Sequence, residues 1–192
     1  MAKVVWKPST LLNPVPVVMV TCVDSTGKPN IITLAWAGTI NSDPPMLSIS
    51  VRKERYSHRL IEAKGEFAVN LTTGKLAYAA DLCGVKSGRD IDKFAATKLT
   101  PEKASIIDVP LIKESPVSLE CVVKNKIELG SHDMFIAEIV AMDVEEGLLD
   151  NKGRLHLDKA DLICYSHGSY YTLGKALGYF GYSVTKKKGV KR

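Results

Sequence analysis

The chain has 192 residues, of which 45% are hydrophobic and 24% are charged. This composition is ordinary for a folded globular protein and excludes a chain that is disordered throughout. Lys and Arg number 26 against 21 Asp and Glu, which gives a formal net charge of +5. Residues 186–192 carry five of the cations and no acid, so residues 1–185 are formally neutral. Because a nucleic-acid-binding domain concentrates positive charge on its folded body, this distribution argues against nucleic acid as a partner.

The length suits one domain with a full hydrophobic core. We expect a single domain over residues 1–185, followed by a basic, flexible tail over residues 186–192. The longest apolar run, residues 15–20, is far shorter than the roughly 20 residues of a membrane-spanning helix, and it contains Pro16. The N-terminus also lacks the apolar stretch of a signal peptide. We therefore expect a cytoplasmic protein with no membrane partner.

The cysteines and histidines show no metal-binding pattern. The four cysteines form no C-x-x-C pair, and no two of the four histidines have the spacing of zinc ligands. Three of the cysteines lie in apolar, strand-like stretches, which is typical of reduced cysteines in a core. We expect neither disulfides nor a metal site.

The first third of the chain is predicted to be mostly strands. Residues 15–23 are apolar and rich in β-branched side chains, and residues 24–30 are dense in turn formers. The apolar run resumes over residues 31–37, so the two runs are predicted to form a hairpin. After the two prolines at 44 and 45, residues 47–52 alternate strictly between apolar and polar side chains. This alternation predicts a strand with Leu47, Ile49 and Val51 on one face.

Helical patterns follow in the middle of the chain. Residues 56–64 are predicted to form a short helix, with Ser57 as its N-cap and Gly65 as the residue that ends it. Residues 67–71 are a predicted strand, and a second helix is predicted to start at Thr73 and to end near Gly84. Residues 84–90 have the glycine content of a loop, and residues 92–96 could add a helical turn.

The second half returns to strands. Residues 118–129 alternate between apolar and polar side chains, and residues 135–144 are more continuously apolar. The second run predicts a strand buried on both faces, although periodicity alone also allows a helix. Residues 130–133 connect the two runs, and residues 162–165 form a further short strand. Many short strands with two or three brief helices favour a mainly β protein, a closed barrel with helical excursions, over a doubly wound α/β fold.

Two segments could bind an anion. The polar face of the strand at 47–52 carries Ser48, Ser50 and Arg52, and Ser57 could add a hydroxyl at the next helix start. A solvent-exposed strand face explains the same pattern. The second segment, residues 83–94, combines two glycines with the cations Lys86, Arg89 and Lys93, but the pattern alone favours an exposed basic loop. The chain contains neither a P-loop nor a G-x-G-x-x-G fingerprint.

A set of short motifs follows in order along the chain. The motifs are Ala35-Trp36-Ala37-Gly38, Asp43-Pro44-Pro45 with the strand through Arg52, Arg55-Tyr56-Ser57, Phe67-Ala68-Val69-Asn70, Ser87-Gly88-Arg89-Asp90-x-Asp92-Lys93-Phe94, Gly130-Ser131-His132, Tyr170-Tyr171-x-Leu173-Gly174 and Gly178-x-x-Gly181. Each motif alone is weak, but their joint order from about residue 13 to residue 182 resembles the flavin reductase-like family, close to its flavoredoxin branch.

The resemblance implies a Greek-key, FMN-binding split barrel that forms a homodimer, with the flavin near the subunit interface. It assigns Ser50, Val51, Arg52 and Ser57 to the phosphate and ribityl chain of FMN. Trp36, Ala37 and Asn41 would lie near the isoalloxazine ring, and a second wall would comprise Cys83, Gly84, Ser87, Gly88 and Lys93. The family often has Gly-Asp-His where this chain has Gly130-Ser131-His132, so a role that depends on the aspartate of that motif is not assigned here. His132 itself either contacts the nicotinamide or places a proton near the flavin, or is a structural hydrogen-bonding residue.

The resemblance implies an FMN-containing oxidoreductase that passes electrons from NADH or NADPH through the flavin to a second acceptor. One alternative is an FMN-binding electron carrier that a redox partner protein reduces and that has no useful nicotinamide activity. Another is a barrel of this shape that holds a different flavin, a deazaflavin or haem. The reactive atoms would belong to the cofactor, which explains why the sequence shows no catalytic triad.

Overall fold

A seven-stranded antiparallel sheet forms the centre of the molecule, in a computed structural model that describes residues 1–185. The predicted tail, residues 186–192, lies outside the described residues. The described residues form the strands β1 (Val15–Pro16), β2 (Val18–Val23), β3 (Pro29–Leu34), β4 (Ala37–Ser42), β5 (Pro45–Arg52), β6 (Glu66–Leu71), β7 (Pro101–Glu102), β8 (Leu111–Ile112), β9 (Val117–Glu128), β10 (His132–Val144), β11 (Ile163–Ser166) and β12 (Ser169–Thr172). The α-helices are α1 (Tyr56–Lys64), α2 (Ala77–Val85) and α3 (Lys93–Thr97), and 3-10 turns span Gly74–Leu76, Glu146–Leu148 and Leu157–Lys159.

The sheet closes on itself into a barrel. Its strand order is β3-β2-β6-β9-β10-β5-β4, so β3 and β4 are the two edges. Only Ala35 and Trp36 separate the end of β3 from the start of β4, and two residues cannot cross an open seven-stranded sheet. The edges therefore lie side by side where these two residues link them. The backbone N–H of Ser50 donates to the carbonyl of Trp36 at 2.9 Å, which extends the pairing of β4 with β5 into this link. The predicted mainly β barrel with a few short helices is confirmed.

The barrel interior is a continuous apolar core. The alternation predicted for β5 is confirmed, since Leu47, Ile49 and Val51 are buried and point inward. Phe67 of β6 and Phe135 of β10 fill the centre and are at most 1% exposed. Burial of each such side chain contributes about 1.5–3 kcal/mol, so the alternating strands fix which faces turn inward.

Two helices cover the outer face of one wall. Met19 of β2 and Ile31 of β3 point out of the barrel and pack against Ala80 and Cys83 of α2 and Phe94 of α3. Val23 at the other end of β2 packs against residues 104–111 instead, so all six residues of β2 are buried, which explains why its sequence is apolar without alternation. This layer places the C-terminal end of α2 close to the start of α1, and the candidate site lies between them.

Three local predictions need correction, and one strand was missed. β3 ends at Leu34, and residues 37–42 form β4, a strand that was not predicted because its exposed residues show no alternation. Arg55, and not Ser57, is the N-cap residue of α1, and it makes no side-chain capping hydrogen bond. The helix does end at Gly65, which has a φ of 72°. β10 is not buried on both faces, because burial alternates over its first half and the second face is only partly covered.

A small sheet of order β1-β11-β12 lies beside the site. β7 pairs with β8, whose Leu111 and Ile112 are buried against the outer side of the barrel. Within residues 1–185 no helix combines the length and apolar character needed to cross a membrane.

Candidate functional site

A groove runs along the barrel wall between the start of α1 and the C-terminal end of α2. It consists of two pockets of about 270 and 260 Å³ that share Ile32 and Arg55. We call the first the aromatic half, which is lined among others by Val17, Leu34, Trp36, Ser50, Arg52, Asp81, His132, Tyr165 and Tyr170. We call the second the cationic half, which is lined among others by Tyr56, Ser57, Cys83, Lys86, Ser87, Gly88, Arg89 and Lys93.

Positive charge collects in the cationic half. Arg55, Lys86 and Arg89 are exposed, and none of them has a carboxylate within 4 Å among residues 1–185. The first turn of α1 begins at the same place, so its backbone N–H groups and the positive end of the helix dipole add to the field. Glu54 also lines this half, but its carboxylate lies 3.5 Å from the guanidinium of Arg52. The arrangement is suited to an anion.

A buried polar layer supports the floor of the cationic half. The ammonium of Lys93 is buried and donates to the carbonyls of Ile31 and Cys83, both at 2.7 Å. Burial lowers the pKa of Lys93. Beside it, the side-chain amide of Asn30 donates to the Ser57 hydroxyl at 2.7 Å. Lys93 therefore ties β3 to α2, with one of its three N–H donors not used by these carbonyls.

Gly88 brings the loop after α2 against the groove. A Cβ atom at this position would collide with Oδ1 of Asn30 and would lie 3.1 Å from Cδ1 of Tyr56. Only glycine permits this approach, which sets Ser87 and Arg89 on the rim of the cationic half.

Aromatic rings define the other half. The ring of Trp36 stacks with that of His132, with 6.1 Å between the centroids, and the Ser131 hydroxyl lies 2.8 Å from Nδ1 of His132. The hydroxyl of Tyr170 donates to Asp81 at 3.0 Å. Burial, together with this carboxylate, raises the pKa of Tyr170 to about 12, so the phenol stays protonated at neutral pH. These rings provide flat apolar surfaces beside a few polar atoms, a lining suited to a planar ligand.

The structure brings most of the sequence-predicted site residues together. Trp36, Ser50, Arg52, Gly84 and His132 line the aromatic half, and Ser57, Cys83, Ser87, Gly88 and Lys93 line the cationic half. Ala37 lies in an adjoining pocket of about 640 Å³, which also includes Trp36 and Ser50.

Four predicted residues lie differently from the positions that the resemblance implies. Ser50 and Arg52, which it assigns to the phosphate and ribityl chain, line the aromatic half and not the cationic half. The side chain of Val51 is buried in the barrel core. Asn41 does not line the groove, since its amide is exposed beside the β4–β5 turn and donates to the carbonyl of Pro44 at 2.8 Å.

Sequence reasoning missed some of the lining. Arg55 lies in both halves, and its position directly before a predicted helix start was the available signal. Asp81 and Tyr165 also line the aromatic half. They come from α2 and β11, and no local pattern relates these segments to the strands at residues 31–52.

Known proteins share this fold and sequence pattern. Residues 11–174 match the family described as "Flavin reductase like domain". The flavoredoxin of Desulfovibrio vulgaris (Miyazaki F) is 32% identical with a TM-score of 0.89, and the match covers 96% of this chain and 100% of that one. The flavoredoxin from Methanosarcina acetivorans is 29% identical with a TM-score of 0.86 and the same coverage. An uncharacterized protein from Archaeoglobus fulgidus is 32% identical over 130 residues, which is 68% of this chain and 73% of that protein. The chain belongs to the flavin reductase-like family, in its flavoredoxin branch.

Proposed function

We propose that the chain binds FMN in the groove and serves as an oxidoreductase, taking electrons from NADH or NADPH and passing them to a second acceptor. The observation that carries this proposal is one continuous groove with cations at one end and aromatic rings at the other. A flavin mononucleotide has the matching division, since its phosphate is anionic and its ring system is planar and largely apolar.

The phosphate would be held in the cationic half. Arg55, Lys86 and Arg89 supply exposed cations, and Ser87 adds a hydroxyl. Hydrogen bonds from charged donors to phosphate oxygens are among the stronger polar contacts in proteins. The first turn of α1 adds backbone donors. The donor set therefore fits a phosphate group.

The ring system would lie in the aromatic half, between Trp36 and Tyr165 and near His132. When bound, FMN supplies the chemistry of accepting a hydride from a nicotinamide and returning two electrons to an acceptor. The residues of the chain orient the ring, exclude water from one side of it and place polar atoms near its edge. His132 has one ring nitrogen beside the Ser131 hydroxyl, so its other nitrogen is available to a ligand in the groove.

A reconstitution experiment tests the proposal. Apoprotein titrated with FMN is expected to reach one flavin per chain, and stopped-flow mixing of the loaded protein with NADH or NADPH is expected to bleach the flavin absorbance. Riboflavin, which lacks the phosphate, is the matched control and should bind more weakly. Absence of FMN binding would contradict the proposal. FMN binding without bleaching by either nucleotide would instead favour the electron carrier that a partner protein reduces.

We also propose that the protein is a homodimer. The segment after β12 leaves Leu173, Leu177 and Phe180 exposed, with Phe180 fully so, and Trp6 and Leu12 near the N-terminus are exposed as well. Apolar side chains in such number at two ends of a chain favour a protein interface. A second copy would cover them and close the groove. Light scattering coupled to size-exclusion chromatography should give twice the mass of the chain, and a monomeric mass would overturn the proposal.

A further inference from the structure

A buried histidine and a buried aspartate form a hydrogen-bonded pair at one end of the barrel interior. Nε2 of His58, in the first turn of α1, lies 2.8 Å from Oδ2 of Asp133, at the start of β10. His58 is 6% exposed and Asp133 is 2% exposed. Asp133 is paired with Val51, whose side chain lies in the barrel core, so its own side chain turns inward while that of His132 turns outward into the groove. Neither member of the pair lines the groove itself.

The carboxylate of Asp133 is ionised. Burial alone would raise the pKa of Asp133, but the hydrogen bond with His58 and the ammonium of Lys53 outweigh it and lower the pKa. Because an ionised carboxylate only accepts hydrogen bonds, Nε2 of His58 carries the proton of the bond. The ammonium of Lys53 lies 3.3 Å from Oδ1, and that of Lys126 lies 3.7 Å from Oδ2. Loss of the imidazole would therefore leave the carboxylate with two cations beside it. The two lysines also contact the exposed carboxylates of Glu62 and Glu128.

Two buried polar contacts hold the first turn of α1. Beside His58, the Ser57 hydroxyl accepts the side-chain amide of Asn30 on β3 at 2.7 Å. Since β3 and β10 are not neighbours in the sheet, the two contacts fix the turn from two separate strands. The second half of α1 is held differently, because Leu60 and Ile61 pack into the barrel core. Loss of the contact with β10 would free the first turn to move while the apolar anchors keep the rest of α1 in place.

We propose that His58, through its bond to Asp133, is a positioning residue for the flavin phosphate. The inference rests on the proposed function, in which the first turn of α1 supplies donors to that phosphate. Arg55 and Ser57 lie within three residues of His58, so a displacement of the turn moves both side chains and the backbone N–H groups together. Hydrogen bonds weaken steeply with distance and angle, so a shift of about 1 Å reduces phosphate binding. The rings of the aromatic half belong to other elements of the fold, so their contacts with the flavin ring would not change.

Flavin titrations on variants of His58 test this inference. The dissociation constants of FMN and riboflavin are measured for the wild type, His58→Leu and His58→Gln. His58→Leu is expected to raise the dissociation constant of FMN about tenfold, the effect of one charge-assisted hydrogen bond to the phosphate, and to change that of riboflavin less than about twofold. His58→Gln should keep the constant for FMN within about threefold of wild type, because the glutamine amide can place an N–H donor where Nε2 lies.

Two further variants complete the design. His156→Leu is the matched control, since Nε2 of His156 lies 3.2 Å from Oδ2 of Asp150 and neither residue lines the groove. It should leave the affinity for both flavins unchanged. His58→Asn keeps a polar side chain, but its amide occupies the place of Nδ1 and stops short of Asp133. It should weaken FMN selectively, as His58→Leu does, and it gives the answer if His58→Leu fails to fold.

The outcomes separate this inference from the proposed function. Equal weakening of FMN and riboflavin would overturn the inference, as would an unchanged affinity for FMN in folded His58→Leu or His58→Asn. A loss in His58→Gln as large as that in His58→Leu would overturn it too, since the bond to Asp133 would then not matter. In each of these cases the wild type still binds FMN and the proposed function stands. Failure of the wild type to bind FMN would end both.

Discussion

Replacement of Arg55 by alanine tests whether the phosphate of FMN binds in the cationic half, because the substitution should weaken binding of the phosphate and not of the ring. Arg55 lies directly before α1 and is the cation that lines both halves of the groove. Its backbone N–H donates to the carbonyl of Arg52, and its own carbonyl accepts the N–H of His58, both at 3.0 Å. Arg55→Ala keeps these backbone bonds and removes only an exposed side chain. The free energy of unfolding should therefore change by less than about 0.5 kcal/mol.

The substitution is expected to reduce the binding free energy contributed by the phosphate of FMN. One hydrogen bond from a charged donor contributes about 1.5–3 kcal/mol, and the exposure of Arg55 moves the value to the low end of this range because water and salt screen it. The dissociation constant of FMN should therefore rise about tenfold in Arg55→Ala at low ionic strength, and less at high salt. Riboflavin has no phosphate, so its dissociation constant should change less than about twofold.

Fluorescence titration with both flavins measures this difference. Arg52→Ala is the matched comparison, since Arg52 lines the aromatic half and its guanidinium lies 3.5 Å from Glu54. We expect Arg52→Ala to reduce the ratio of FMN to riboflavin affinity less than Arg55→Ala does. Equal weakening of FMN and riboflavin in Arg55→Ala would refute the assignment of the cationic half to the phosphate, as would an unchanged affinity for FMN.

Three further changes test other parts of the structure. Gly88→Ala should raise the dissociation constant of FMN about tenfold, because the new Cβ must push the loop away from Asn30. Gly174→Ala, where a Cβ meets nothing within 4 Å, should leave that constant unchanged in the same titration. Glu120→Gln should lower the free energy of unfolding by about 2 kcal/mol at pH 7 in urea titrations, since its buried carboxylate accepts three backbone N–H groups. Burial alone would raise the pKa of Glu120, but these N–H groups outweigh it and lower the pKa. The stabilisation by the Glu120 carboxylate is thus present above the unfolded-state pKa and is lost as the pH falls through the folded-state pKa. The difference in the free energy of unfolding between Glu120→Gln and the wild type should therefore disappear in acid. A difference that persists in acid would contradict this account. His132→Ala should slow flavin reduction by NADH or NADPH about a hundredfold and leave FMN affinity within about threefold, and an unchanged rate would remove His132 from the reaction.

Local patterns predicted those elements of the fold in which one face is buried. β5 alternates because only one of its faces enters the barrel core, and α1 ends at Gly65 because a left-handed residue closes the helix. β4 was missed for the opposite reason. Its residues 38–42 are exposed, so its sequence carries no burial signal, and its place is set by pairing with β5.

Some residues of the candidate site could likewise be predicted from the sequence, and others could not. The glycine-rich loop with Lys86, Ser87 and Arg89 was visible in the sequence because glycine and cations are local signals. The positions of Arg55 and Asn41 were not visible, since the resemblance placed Asn41 near the ring and gave Arg55 no role, and no local pattern corrects either assignment. Arg55 lines both halves of the groove, whereas the amide of Asn41 bonds to Pro44 beside a turn.

The sequence by itself determined a mainly β chain with neutral net charge over residues 1–185 and an ordered set of motifs that identifies its family. Only the tertiary structure decided which charges act together. Barrel closure joins β3 to β4 through two residues, and the packing of α2 on β2 and β3 brings the loop at residues 86–93 against the start of α1. Since these segments lie about 30 residues apart in the chain, their contact depends on burial of the apolar faces between them, which no local spacing encodes.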